Sequence, residues 1–97
     1  MTEIQEADFA EKTKTGLVLV DFYTQSCGPC RMLAPTLEKL TGIEVYKVDC
    51  HKAMPLVEQY KVSGVPCLVF MKDGVEVDRL VGIQSQKVLQ EKVDSLK

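Results

Sequence analysis

The 97-residue chain predicts an α/β sandwich built on a mixed β-sheet. Three observations carry this. Segments with strand and helix character alternate along the chain. Leu17-Val18-Leu19-Val20-Asp21-Phe22 is an apolar run broken by one acid, the pattern of a strand covered on both faces. Lys72-Asp73-Gly74 then joins the apolar run Cys67-Leu68-Val69-Phe70-Met71 to an alternating segment with the Asp-Gly signal of a hairpin. The resulting order is a βαβ half followed by a ββα half.

Each element has its own justification. Phe9 to Lys12 reads as a short helix after the capping candidate Asp8. The run from Leu17 to Phe22 is the first strand. From Cys30 to Leu40, apolar residues at Leu33, Leu37 and Leu40 keep a helical spacing, with a kink expected at Pro35. Ile43 to Val48 alternates as a strand does. Leu56 to Tyr60 is a short helix with Pro55 in its first turn. Cys67 to Met71 and Val75 to Val81 form the hairpin. Ser85 caps a last helix that lines up Leu89, Val93 and Leu96. There are no repeats and no linker, and the length fits one domain spanning 1–97.

Composition narrows the function. Apolar residues make up 45% and charged residues 27%, as in an ordinary globular domain. The net charge is −2 and the cations are scattered, which argues against nucleic-acid binding. No apolar stretch approaches the roughly 18 residues of a membrane span. The polar start Met1-Thr2-Glu3-Ile4-Gln5-Glu6 lacks the charged and apolar regions of a signal peptide. A cytoplasmic setting is therefore expected. There, a Cys-x-x-Cys pair is redox-active or metal-binding rather than a structural staple.

Cys27-Gly28-Pro29-Cys30 opens the second helix. Free N–H groups and the positive end of the helix dipole favour a thiolate on Cys27, the species that attacks a disulfide. Pro29 suits a first helical turn, and Gly28 admits a close substrate backbone. Cys30, one turn deeper, would resolve the mixed disulfide by attacking Cys27. That thiol needs a base. Asp21, inside an apolar strand leading into the motif, is the candidate, its pKa raised by burial.

Beyond the motif itself, the chain resembles the thioredoxin family. Val20-Asp21-Phe22, Cys27-Gly28-Pro29-Cys30-Arg31-Met32, Ala34-Pro35, Val65-Pro66, Lys72-Asp73-Gly74 and Gly82 all fall in the family's order. The resemblance implies the thioredoxin fold, a mixed sheet of four or five strands with helices on both faces. It implies Cys27 as nucleophile, Cys30 as resolving thiol and Asp21 as buried base, with Lys47 as that acid's neighbour. Gly28, Pro29, Val65, Pro66 and Gly82 are the implied substrate-contacting residues. Pro66 would be a cis-proline facing the disulfide, and Val65 would pair with an extended target segment. The implied partners are target disulfides and a reductase, either flavin-dependent or ferredoxin-linked. No cofactor, metal or membrane is expected, and the chain is expected to be a monomer.

Three departures bear on partner choice. Ser26 and Tyr23 stand where the family usually has Trp, and the chain has no Trp. The segment between Leu40 and Ile43 is short. Cys67 replaces a common Thr after Pro66; it is expected to be a small buried filler, or else a third thiol that tunes the site. Cys50 and His51 are expected as a surface loop pair. Met32, Met54 and Met71 are expected as gap-fillers, and Phe9, Phe22, Phe70, Tyr46 and Tyr60 as core. A zinc site would use Cys27, Cys30, Cys50 and Cys67 or His51, but lacks a second spaced ligand pair. Rival functions are a glutathione-dependent, glutaredoxin-like reductase and a non-catalytic binding module.

Overall fold

The computed structural model describes residues 1–97. Its strands are β1 (Thr2–Glu3), β2 (Leu17–Tyr23), β3 (Glu44–Asp49), β4 (Cys67–Lys72) and β5 (Val75–Val81). Its helices are α1 (Phe9–Thr13), α2 (Gly28–Glu38), α3 (Met54–Gln59) and α4 (Gln86–Leu96). The sheet order is β1-β3-β2-β4-β5. β1, β3 and β2 run parallel, while β4 is antiparallel to β2 and β5 to β4. This is the mixed sheet expected, with five strands.

Alternation along β2 divides the core. Val18, Val20 and Phe22 pack with Val48, Cys67, Val69, Phe9 of α1 and Leu56 of α3. Leu19 packs on the other face with Leu68, Phe70, Leu33 and Leu37 of α2, and Leu89 and Val93 of α4. The helices thus cover both faces, α1 and α3 on one and α2 and α4 on the other. Full burial of each large apolar side chain contributes ~1.5–3 kcal/mol, which is why the uninterrupted runs become central strands.

The turns follow their residues. Asp73 and Gly74 both take left-handed backbone (φ 50° and 84°), as a two-residue hairpin requires. The Asp73 carboxylate accepts the Gly16 N–H at 2.8 Å, tying the hairpin to the start of β2. Ser85 caps α4 by accepting the Val88 N–H at 3.1 Å. α2 runs through Pro35 to Glu38, two residues short of the expected end at Leu40.

Some expectations are corrected. Cys50 is not on the surface: it is buried, in a 3₁₀ turn over Cys50–Lys52, and only His51 of the pair is exposed. The hydrophobic cluster on that face of the sheet draws the thiol inward. Met32 and Met54 are exposed, so only Met71 fills a core gap. Phe9, Phe22 and Phe70 are core, whereas Tyr46 and Tyr60 are half-buried at its margin. β1 had no signal. It is two residues long, fixed by pairing with Tyr46 and Lys47 and by the buried Ile4, whose N–H donates to the Lys47 carbonyl at 3.0 Å.

Candidate functional site

Cys27 is the N-cap of α2. Its backbone is extended, and Pro29 sits in the first turn, where its missing N–H leaves nothing unsatisfied. The Cys30 N–H donates to the Cys27 sulfur at 3.1 Å, so the sulfur does what a capping oxygen ordinarily does. Cys27 and Cys30 form a disulfide with their Cα atoms 5.3 Å apart. They differ in access. Cys27, Gly28 and Pro29 lie at the surface or half-buried, while Cys30 is only 5% exposed.

Asp21 lies on the α2 side of β2, the face it shares with Leu19. It is 2% exposed, and its Oδ1 has no hydrogen-bond partner. Burial is the main reason its carboxyl is pushed up to about 7, against the opposing pull of Lys47. Lys47 stands directly opposite on β3. Its ammonium lies 5.4 Å from the centre of the Tyr23 ring, a cation–π contact. A cleft of about 330 Å³ connects these groups, lined by Cys30, Asp21, Lys47, Tyr23, Glu3 and Arg31 among others. It is roomy and polar enough for water to link the Cys30 side to the carboxyl.

On the other flank, the Val65–Pro66 peptide is cis. Pro66 is buried and Val65 half-buried. The Gly82 N–H donates to the Pro66 carbonyl at 2.9 Å, with Gly82 in the left-handed region (φ 90°), which holds the loop after β5 beside the proline. Cys67 follows on the opposite face of the sheet from Asp21, 1% exposed. Burial raises its pKa, and burial with the neighbouring Asp49 raises that of Cys50 to about 11.

Asp49, opposite Tyr23 at the end of β3, is a buried acid beside the site with no role among the sequence expectations. It is 3% exposed, accepts the Gln25 side-chain N–H at 3.2 Å and the His51 backbone N–H at 3.0 Å, and so ties the loop before Cys27 to the end of β3. Its signal was an acid closing an apolar alternating strand, as Asp21 nearly closes its own. The Tyr23–Lys47 contact had no sequence signal, because it depends on the parallel register of β2 and β3.

A disulfide across the first turn of a helix, one sulfur accessible and one buried, defines a dithiol–disulfide exchange protein. Comparisons with known proteins narrow that class. The family model described as Thioredoxin matches residues 1–95. A thioredoxin from Chlamydia trachomatis is 41% identical over 90 residues, covering 89% of this chain and 88% of that protein. One from Staphylococcus epidermidis is 36% identical, covering 97% and 95%. A solved mutant thioredoxin from Halobacterium salinarum superposes with a TM-score of 0.89 at 34% identity, covering 97% of this chain and 88% of that one. That from Malassezia sympodialis gives 0.87 at 27% identity, covering 97% and 90%. The chain belongs to the thioredoxin family, has the thioredoxin fold, and is a thiol–disulfide oxidoreductase.

Proposed function

We propose that the chain reduces protein disulfides as a two-electron carrier, with Cys27 as nucleophile, Cys30 as resolving thiol and Asp21 as base. The observation that carries this is the asymmetry of the pair: the Cys27 sulfur accepts a backbone N–H at the helix tip, while Cys30 is buried. In the dithiol form, the Cys27 thiolate attacks one sulfur of a target disulfide. A Cys27–target disulfide forms and the other target sulfur leaves as a thiolate. Cys30 then gives up its proton toward Asp21 across the cleft and attacks the Cys27 sulfur. The Cys27–Cys30 bond closes, and the second target sulfur leaves. Two electrons pass to the target, whose two thiolates take up two protons. The raised pKa of Asp21 suits this exchange, because a carboxyl titrating near 7 both accepts and returns a proton at neutral pH.

The target's extended backbone adds to the Val65 edge beside Pro66, with Gly28, Pro29 and Gly82 leaving room for it. Without Trp, the apolar rim is supplied instead by Met32 (72% exposed), Val81 and Ile83. The chain acts as a single-domain monomer in the cytoplasm, without a bound cofactor. A reductase, flavin-dependent or ferredoxin-linked, restores the dithiol. No helix is long and apolar enough to cross a membrane.

The test is a pair of variants. Cys27→Ser abolishes insulin-disulfide reduction. Cys30→Ser accumulates covalent adducts with target proteins that dithiothreitol releases. Turnover retained by Cys27→Ser, or adducts forming through Cys30 instead, contradicts the assignment.

A further inference from the structure

Arg79 has no part in the chemistry above, yet it is the most heavily bonded side chain in the molecule. It lies on β5 opposite Val69, on the α1/α3 face of the sheet. Its Nε and Nη2 donate to the two Glu76 carboxylate oxygens at 2.7 and 2.8 Å, a bidentate pair. Both side chains are under one-third exposed. Nη2 also donates to the Tyr60 carbonyl at 2.6 Å, and Nη1 reaches the Lys61 carbonyl at 3.5 Å. Tyr60 caps the C-terminus of α3, where helix carbonyls lack an intrahelical partner. Lys61 takes left-handed backbone (φ 52°), an uncommon conformation for a residue with a side chain. The guanidinium therefore clamps the turn at which the chain leaves α3.

That turn leads directly to Val65 and Pro66. The far end of the segment is held by the same strand, through the bond from the Gly82 N–H to the Pro66 carbonyl. Between the two, Gly64 lies against Val81: a Cβ there would sit 3.6 Å from Val81 Cγ1. Residues 60–66 are thus strung along β5 between two anchors, one of them a side chain.

We propose that Arg79, braced by Glu76, is a positioning residue for target recognition: it sets where the Val65 edge lies and so how well an extended target segment pairs with it. This rests on the reading that targets add to that edge. A backbone-pairing edge works only if its N–H and C=O groups hold the target's register, and Lys cannot replace Arg there because a single ammonium lacks the fork.

The experiment compares two disulfide peptides and one small disulfide. The peptides are identical except that one carries an N-methyl group on the residue flanking its cysteine, which removes an N–H from pairing. In the parent protein, N-methylation raises KM about tenfold, the loss of one hydrogen bond. In Arg79→Leu, KM for the unmethylated peptide rises by a similar factor and methylation adds little. Reduction of bis(2-hydroxyethyl) disulfide, too short to use the edge, stays within about twofold. Arg79→Lys does not restore KM. Should Arg79→Leu fail to fold by circular dichroism, Glu76→Gln, which keeps the Arg and loosens its brace, gives a smaller rise of about threefold. A parent that discriminates between the peptides alongside folded Arg79 and Glu76 variants of unchanged KM overturns the role of Arg79 and leaves the edge reading standing. A parent that does not discriminate overturns both.

Discussion

Replacing Asp21 by Asn removes a titrating group from the interior without changing its shape. In the folded chain this carboxyl keeps its proton up to about pH 7, against 3.8 in the unfolded chain, chiefly because it is buried. A folded-state pKa raised above the unfolded one gives stability that is fully present in acid and lost as pH rises through the folded value. The whole interval corresponds to ~4 kcal/mol. Asn carries no such dependence. The stability of Asp21→Asn relative to the parent should therefore grow by ~2.7 kcal/mol between pH 5 and pH 9, most steeply below about pH 7. Urea denaturation of both proteins in the disulfide form, at five or six pH values, measures this difference. A difference that stays flat across the range refutes the reasoning, since it would mean the carboxyl is already ionised in the folded protein at pH 5.

Two further outcomes follow from the same geometry. The Lys47 ammonium lowers the pKa of Asp21, so Lys47→Met should raise the pH at which Asp21 titrates; carbon-13 NMR of the Asp21 carboxyl reads it directly, and an unchanged or lower midpoint contradicts the contact. Cys50 and Cys67 are 6% and 1% exposed with raised pKa values, so iodoacetamide at pH 8 should leave the folded disulfide form unlabelled and add two groups after denaturation; labelling of the folded protein within minutes argues against their burial.

The sequence made the frame legible because its central strands are long apolar runs. Leu17 to Phe22 and Cys67 to Met71 read as interior strands, and Asp73-Gly74 marked the hairpin that joins the second of them to the edge strand β5. The site was legible where chemistry is local: Cys27 and Cys30 are three apart, and their helical turn is marked by Pro29. It was less legible where partners come from different strands. Tyr23, Lys47 and Asp49 meet only through the β2–β3 register, and Arg79 reaches a turn 19 residues away in sequence. Cys50 and Met54 were misread for a related reason. Each lies where a regular element meets a loop, and its side-chain direction is set by tertiary packing. β1 is too short to carry a period at all.

Disulfide exchange by this site depends most on the state of the Cys27 sulfur in the dithiol form. Thiolate absorbance at 240 nm, followed against pH in the reduced protein with Cys30→Ser as a reference, measures it directly. A sulfur that accepts the Cys30 N–H at the tip of α2 should ionise at least one pH unit below the ordinary value of about 8.5. A midpoint at or above that value contradicts the claim that the helix terminus activates the nucleophile.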